Sequence, residues 1–159
     1  MTDLSARRAH PIAGLAAFAV AVAAVAVIGS LSAVSAASDY AALQQPSWAP
    51  PSWLFGPVWT ALYVMIAFSG WLAWRAGARR ELVLFGAQLV LNALWTPLFF
   101  AGGQFGLALV DIVLLLASIV ALIAVFARRG ALAAGLLVPY LLWVGFATAL
   151  NASIWAANT

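Results

Sequence analysis

The sequence predicts an all-α integral membrane protein, a single domain over residues 1–159 built as a bundle of five transmembrane helices. Two observations support this fold class. First, 67% of the residues are hydrophobic and only 7% are charged, whereas a soluble domain carries about 25% charged residues. Second, five apolar stretches are each long enough to cross a bilayer, which requires about 20 residues in a helix. A soluble globular class is excluded, because so few charges cannot cover a water-exposed surface.

The predicted helices follow these apolar stretches along the chain. They lie near 11–33, 53–75, 82–101, 105–126 and 131–155. The connections after the second, third and fourth helices are only a few residues long, which makes consecutive helices antiparallel neighbours. The connection over 34–52 is longer and is predicted to be a loop. Two prolines, Pro97 and Pro139, fall inside predicted helices and should kink them or free a backbone carbonyl.

Arginine orients the predicted bundle. All seven basic residues are Arg, and they are Arg7, Arg8, Arg75, Arg79, Arg80, Arg128 and Arg129. In an alternating bundle these positions share one side of the membrane, and the other side receives none. Since basic segments stay in the cytoplasm, the N-terminus is predicted inside and the C-terminus outside. Small clusters at helix ends also explain the net charge of +3, so nucleic-acid binding is not predicted.

Residues 1–36 allow a second interpretation. The two N-terminal arginines, an apolar run and VSA at 34–36 follow one another in the order of a secretory signal peptide and its cleavage site. The apolar run, 12–28, is long for such a signal, and an uncleaved first helix fits the arginine alternation equally well. We predict the uncleaved helix, and processing of residues 1–36 is the alternative.

Aromatic and amide side chains share faces on three helices. At about 100° per residue, the faces are Phe55, Trp59, Leu62 and Ile66 on the second helix, Gln88, Asn92, Trp95 and Phe99 on the third, and Tyr140, Trp143, Ala147 and Asn151 on the fifth. Amides in membrane helices often link helices, and tryptophans often anchor the interface. The coincidence of indoles and amides on shared faces nevertheless favours a pocket open toward the outer leaflet. Such a lining suits a large, planar, mostly apolar molecule.

The composition does not support conventional catalytic or metal chemistry. Cysteine is absent and the one histidine, His10, lies in the N-terminal tail, so a multi-histidine or thiolate metal site is excluded. Iron-ligated haem is poorly supported, since the helices offer only weak axial ligands. The four acidic residues are too widely spaced for a catalytic pair. Asp111, near the start of the fourth helix, is predicted to be structural or interfacial, and a functional intramembrane carboxylate is the alternative.

Three segments resemble one known family. Residues 48–63 read WAPPSWLFGPVWTALY, residues 88–100 read QLVLNALWTPLFF, and residues 139–151 read PYLLWVGFATALN. The first resembles the W-x-P-P-x-x-x-F-x-P-x-W-x-x-L-Y pattern of the translocator protein family, also called the tryptophan-rich sensory proteins (TspO/MBR). The other two are similar to its third- and fifth-helix signatures, and the resemblance covers about residues 11–155.

The resemblance implies a five-helix bundle, usually a homodimer, that binds porphyrins such as protoporphyrin IX and related tetrapyrroles as ligands rather than as obligatory cofactors. The 34–52 loop would close the pocket as a lid, and its prolines would keep it non-helical. The implied lid residues are Trp48, Pro50, Pro51 and Trp53. The implied main ligand contacts are Trp59, Asn92 and Trp143, and the implied lining residues are Phe55, Trp95, Phe99, Ala147 and Asn151.

The resemblance leaves the use of the ligand open. Sensing, sequestration or transport of a tetrapyrrole is the leading hypothesis. The alternative is an enzyme, because some bacterial members degrade protoporphyrin in a light-dependent reaction linked to the tryptophans that match Trp59 and Trp143. A channel or transporter with a chain of ionisable groups is disfavoured, since Asp111 is the one intramembrane charge.

Several features set this chain apart within the family pattern. A common Trp-Tyr pair early in the lid is Asp39 and Tyr40 here, and a common Lys-Pro is Gln45 and Pro46. The sterol motif of animal members needs a Tyr followed by a basic residue near the end of the fifth helix, and residues 150–159 have neither, so sterol binding is not predicted. The composition and arginine pattern predict a bacterial plasma membrane, and the outer membrane is the alternative because some bacterial members are placed there.

Overall fold

The computed structural model describes residues 11–35 and 37–159, and these ranges contain helices and connecting turns but no strand. The helices are α1 Pro11–Ser35, α2 Ala37–Ala42, α3 Phe55–Arg75, α4 Leu82–Thr96, α5 Phe105–Ala127, α6 Ala131–Gly135 and α7 Val138–Asn158. Five segments are long and apolar enough to cross a membrane. The predicted all-α membrane bundle is therefore confirmed. The tail with Arg7, Arg8 and His10 lies outside the described residues.

Pro97 and Pro139 disturb the regular helix in different ways. Pro97 begins a π-helical turn, Pro97–Ala101, that extends α4, and the Gly102 N–H donates to the Pro97 carbonyl at 2.8 Å. The altered turn agrees with the prediction for Pro97. Pro139 lies in the first turn of α7, after a break at 136–137 that separates α6 from α7. The break just before Pro139 agrees with the predicted kink of the last helix, because proline has no N–H to continue the helical hydrogen bonds across this point and is tolerated in the first turn of α7.

The long helices form a closed ring. α1 packs on α3 and α4, and α5 packs between α4 and α7. α3 meets the last span mainly through α6, where Ser69 Oγ donates to the Ala133 carbonyl at 2.6 Å. Fully buried side chains fill the centre, including Ile66, Ile119, Leu122 and Val144. α1 packs into this ring, and whether residues 1–36 are processed stays a prediction.

The described arginines gather at one end of the bundle, which we call the arginine end. Arg129 and Glu81 form a salt bridge of 2.7 Å that joins the α5–α6 and α3–α4 connections. A hydrogen bond from the backbone and one from Arg129 hold the pKa of Glu81 below its usual value. Trp71 Nε1 donates to the Pro11 carbonyl at 2.9 Å, which places the start of α1 at the same end. We call the opposite end, with residues 43–51, the lid end. Which end faces the cytoplasm stays a prediction.

Gly70 allows α1, α3 and α4 to approach closely. A Cβ at this position would lie 2.6 Å from Phe85 Cζ and 2.8 Å from Phe18 Cδ1. Phe85 is 3% exposed and stacks on Phe126 at 6.4 Å, so its ring has no room to move away. Gly86 on α4 provides a matched comparison, because a Cβ there would meet no packing neighbour within 4 Å.

We therefore expect Gly70→Ala to destabilise the bundle by about 1–3 kcal/mol through overpacking. Gly86→Ala should be neutral or stabilise by up to about 1 kcal/mol, because alanine favours helix over glycine. Thermal unfolding of both variants in the same detergent, followed by circular dichroism, measures the difference. Equal midpoints for the two variants would contradict the close packing at Gly70.

Candidate functional site

A cavity of about 190 Å³ lies at the lid end between α1, α3 and α4. Its aromatic lining is Phe55, Trp59, Tyr63, Trp95 and Phe100. Small side chains of α1 form the facing wall, namely Ala26, Gly29, Ser30 and Ala33. Ser30 on α1 and Gly56 and Thr60 on α3 are exposed, so the cavity opens between these two helices.

The aromatic rings present flat faces to one another. Trp59 stacks on Tyr63 with 5.4 Å between ring centroids and 28° between planes. Trp95 stacks on Phe99 at 5.3 Å and 25°, and the Trp59 and Trp95 rings lie 6.4 Å apart. The walls of the cavity are therefore mainly apolar ring surfaces.

A buried hydrogen-bond network lies beside the cavity and ties α3, α4 and α7 together. Tyr63 Oη donates to Asn92 Oδ1 at 3.1 Å, and Asn92 Nδ2 donates to Tyr140 Oη at 2.7 Å. Tyr140 Oη in turn donates to Gln88 Oε1 at 3.0 Å. Asn92 is 2% exposed and both of its polar groups have protein partners. In this structure Asn92 links helices, and its role as a ligand contact stays a prediction.

Asn151 has a similar position in the packing. Its Oδ1 accepts a hydrogen bond from Trp95 Nε1 at 3.1 Å, and its Nδ2 donates to the Phe105 carbonyl at 2.9 Å. These bonds connect α4, α5 and α7. As the sequence predicts, Gln88, Asn92 and Asn151 all face protein and are at most 2% exposed.

The predicted ligand contacts divide into two groups. Phe55, Trp59 and Trp95 line the cavity. Asn92, Phe99, Trp143, Ala147 and Asn151 do not line it and belong to the packed wall around it. Trp143 contacts Phe55 at 5.8 Å, and its Nε1 has no hydrogen-bond partner within the described chain. Trp143 is therefore one ring away from the cavity, behind Phe55.

Sequence reasoning missed part of the lining. Tyr63 lies one turn after the predicted residue Trp59, and Thr96 directly follows the predicted residue Trp95. A wider helical face would therefore have included both. Phe100 lies in the π-helical turn, where the 100° rule does not hold. The α1 wall carries small residues at 26, 29, 30 and 33, a spacing that marks one helix face but carries no chemical signal.

The lid is shorter than predicted. α1 continues to Ser35 and α2 occupies Ala37–Ala42, so only 43–51 forms an irregular connection before the turn Ser52–Leu54. The prediction of a non-helical 34–52 was wrong for the first part, because no proline of this segment precedes Pro46 and the ASDYAA stretch of α2 is free to form a helical turn. Tyr40 on α2 is 4% exposed and packs on Phe55 at 5.7 Å.

The predicted lid residues lie in or beside the irregular connection. Trp48 is 47% exposed and contacts Phe146 on α7 at 5.6 Å. Trp53 is 70% exposed. Pro50 is half-buried and Pro51 is exposed. None of the four lines the cavity, so closure of the site by these residues stays a prediction.

The lid is fastened to the end of α7 by a carboxamide. Gln44 N–H donates to Asn158 Oδ1 and Asn158 Nδ2 donates to the Gln44 carbonyl, both at 3.0 Å. A further bond of 2.8 Å runs from Asn158 Nδ2 to the Ile154 carbonyl in its own helix. The Asn158 amide thus pairs with the Gln44 backbone on both sides.

We expect Asn158→Asp to release the lid. A carboxylate keeps the acceptor for Gln44 N–H but loses both donors, and it would face the Gln44 carbonyl with negative charge. Amide hydrogen exchange over 43–51 should become about tenfold faster or more, while exchange in α5 stays unchanged. Thr159→Ala is the control, because Thr159 Oγ1 bonds within its helix, to the Trp155 carbonyl. Equal protection of 43–51 in the two variants would contradict the fastening.

Asp111 is enclosed by the bundle. It is 7% exposed, and its Oδ2 has no hydrogen-bond partner among residues 11–35 and 37–159. Gln88 Nε2 likewise has none in that part of the chain. Whether Asp111 has a structural or interfacial role, or is a functional carboxylate, stays a prediction.

Taken together, five apolar helices with an aromatic-lined cavity at the lid end define a multi-pass membrane protein. Comparison with known proteins identifies the family. The chain belongs to the TspO/MBR family, whose model matches residues 17–156. The family that the three sequence segments resemble is therefore confirmed.

Curated relatives match most of the chain. The translocator protein of Homo sapiens is 42% identical over 125 residues, which cover 75% of this chain and 74% of that protein. The tryptophan-rich protein TspO of Chlorobaculum tepidum is 46% identical over 125 residues, covering 75% and 78%. The tryptophan-rich sensory protein of Cereibacter sphaeroides is 35% identical over 113 residues, covering 70% and 72%.

Proposed function

We propose that the protein binds porphyrins and related tetrapyrroles at the lid end, for sensing, sequestration or transport. The observation that supports this most directly is the pair of indoles, Trp59 and Trp95, that border the cavity 6.4 Å apart among further aromatic rings. Stacking on such faces favours a conjugated macrocycle over a flexible lipid chain. Membership of the TspO/MBR family supports the same ligand class.

The size of the cavity sets a condition on this function. About 190 Å³ is below the roughly 300–1,000 Å³ of pockets that hold drug-sized ligands. A tetrapyrrole therefore needs a lid or a side chain to move. The site also lacks a cationic partner, because the described arginines lie at the opposite end of the bundle. Acidic groups of a ligand would have to remain in water or accept hydrogen bonds from neutral donors.

We further propose that the protein acts as a homodimer in a bacterial plasma membrane, with the arginine end in the cytoplasm. The homodimer follows from the family resemblance, and the orientation from the segregation of the arginines.

Titration with protoporphyrin IX in the dark tests the binding. Wild-type protein in detergent should shift the Soret absorbance of the ligand saturably and quench its own tryptophan fluorescence. Trp59→Phe should weaken binding about three- to tenfold, because it removes part of a stacking surface worth roughly 0.5–1.5 kcal/mol. Trp71→Phe, at the arginine end, removes one indole far from the cavity and should bind like wild type. Absence of saturable binding to wild type would refute the proposal.

A light-dependent porphyrin-degrading enzyme is the second candidate. Trp59 lines the cavity, and Trp143 lies directly behind Phe55 with an indole N–H that has no partner among the described residues, so two indoles are close to a bound pigment. Under illumination in air, the enzyme should remove the Soret band faster than light bleaches the free pigment, and Trp143→Phe should slow that loss about tenfold while leaving dark binding intact. Equal bleaching of bound and free pigment would favour binding alone.

A further inference from the structure

A second cavity of about 350 Å³ lies at the lid end, beside the first. Asp39 and Tyr40 of α2 and Leu43 of the lid form one side of it. The other side comes from the end of α4 and the start of α5, including Phe99, Phe100 and Phe105. Its volume lies within the range typical of small-molecule pockets, whereas the first cavity falls below that range.

Phe100 is shared by the two cavities. Its ring contacts Tyr40, which lines the second cavity, at 5.7 Å. It also contacts Trp95 and Phe55, which line the first cavity, at 6.1 and 6.3 Å. The Phe100 ring therefore lies between them as part of a common wall.

The backbone at this point departs from a regular α-helix. Phe100 belongs to the π-helical turn Pro97–Ala101, and such turns occur frequently at functional sites. Phe100 is half-buried, and the second cavity provides space into which its ring can rotate. Its neighbour Phe99 is 3% exposed and stacks face to face on Trp95, whereas Phe100 is partly exposed and meets its ring neighbours edge-on or tilted.

Tyr40 adds a hydrogen-bond donor to the same wall. Its hydroxyl is enclosed and has no hydrogen-bond partner in the described part of the chain. Burial raises the pKa of Tyr40, so the hydroxyl stays protonated and available to donate. Enclosed donors without acceptors are costly and rare. Because the ring contacts both Phe55 and Phe100, a displaced Phe100 would uncover this donor for a ligand.

We propose that Phe100 is the gate between the two cavities, that a tetrapyrrole occupies both after the ring rotates, and that Tyr40 Oη then donates to an acceptor on the ligand. This inference rests on the proposed binding function and adds its size selectivity. A molecule half the size of a tetrapyrrole fits the first cavity and leaves the gate closed.

Two ligands of the same chemistry test the gate. Protoporphyrin IX is the large ligand, and a dipyrrin, which is half of the macrocycle and also coloured, is the small one. Association rates are measured by stopped-flow absorbance on wild type, Phe100→Leu, Phe100→Trp and Tyr40→Phe. Phe68→Leu is the control, since Phe68 is 41% exposed on α3 and lines neither cavity.

Protoporphyrin should associate about tenfold faster with Phe100→Leu and about tenfold more slowly with Phe100→Trp. Dipyrrin rates should change by a much smaller factor, because Phe100 is part of the wall of the first cavity but does not block the entry of the small ligand. Tyr40→Phe should weaken the binding of protoporphyrin about fivefold and leave the binding of dipyrrin unchanged. If wild type binds protoporphyrin but the Phe100 variants change the association rates of both ligands equally, or of neither, the gate proposal is overturned and the binding function stands. If wild type binds no protoporphyrin, both proposals fall.

Discussion

Tyr140→Phe should destabilise the bundle by about 2–4 kcal/mol, although it removes a single oxygen atom. The Tyr140 hydroxyl accepts from Asn92 Nδ2 and donates to Gln88 Oε1. Gln88 is 0% exposed and Asn92 2%, so water cannot replace the lost partner. Each polar group left unpartnered in the interior costs about 1–3 kcal/mol.

The comparison variant is Tyr63→Phe. Tyr63 Oη makes one bond in this network, to Asn92 Oδ1 at 3.1 Å, and the side chain borders the cavity. Its loss should cost about 1 kcal/mol, near the average for interhelical hydrogen bonds in membranes. Unfolding in detergent with increasing sodium dodecyl sulfate measures both variants. If Tyr140→Phe costs no more than Tyr63→Phe, the network contributes less than its burial indicates.

A rescue variant separates the hydrogen bonds from the shape of the ring. Gln88→Met removes the acceptor that Tyr140→Phe leaves unpaired and keeps a similar volume. Replacing both partners of a buried hydrogen bond by apolar groups is often close to neutral. The double variant should therefore recover part of the stability lost in Tyr140→Phe alone. If the double variant recovers no stability, the loss in Tyr140→Phe comes from the packing of the ring and not from the hydrogen bonds.

Helix geometry explains what the sequence could predict about this network. The face formed by Gln88, Asn92, Trp95 and Phe99 is fixed by 3.6 residues per turn, and all four side chains are buried as expected. Hydrophobic length likewise determined the five spans. The buried face of a helix and the position of a span do not depend on how one helix is rotated against the next, so both can be predicted from local sequence.

The partners of those side chains depend on tertiary packing, which local periodicity does not contain. Asn92 bonds to Tyr63 and Tyr140, which lie 29 and 48 residues away in the sequence. Asn151 bonds to Trp95 and Phe105, which lie 56 and 46 residues away. The α1 wall of the cavity consists of small side chains and carries no aromatic signal. The helical turn of α2 depends on burying Tyr40 against Phe55, Phe99 and Phe100, which no short window reveals.

Trp95→Ala should be the most damaging single substitution, with a loss of about 3–5 kcal/mol. Trp95 is 3% exposed, stacks on Phe99 at 5.3 Å and donates to Asn151 Oδ1 at 3.1 Å. Alanine removes the ring contacts and also leaves the Asn151 oxygen without its donor. Trp95→Phe keeps an aromatic ring and loses the N–H, so it should cost less, about 1–3 kcal/mol.

These two variants distinguish structural support from ligand contact at Trp95, which both packs in the core and lines the cavity. If packing dominates, the free energy of unfolding of the ligand-free protein decreases in the order wild type, Trp95→Phe, Trp95→Ala. Trp155→Ala is the control, because Trp155 is 42% exposed near the end of α7. Ligand-free stability unchanged in Trp95→Ala, together with weakened protoporphyrin binding, would contradict the core role. It would mean that the ring stays in place for the ligand, and that the α4–α7 link through Asn151 contributes little to the fold.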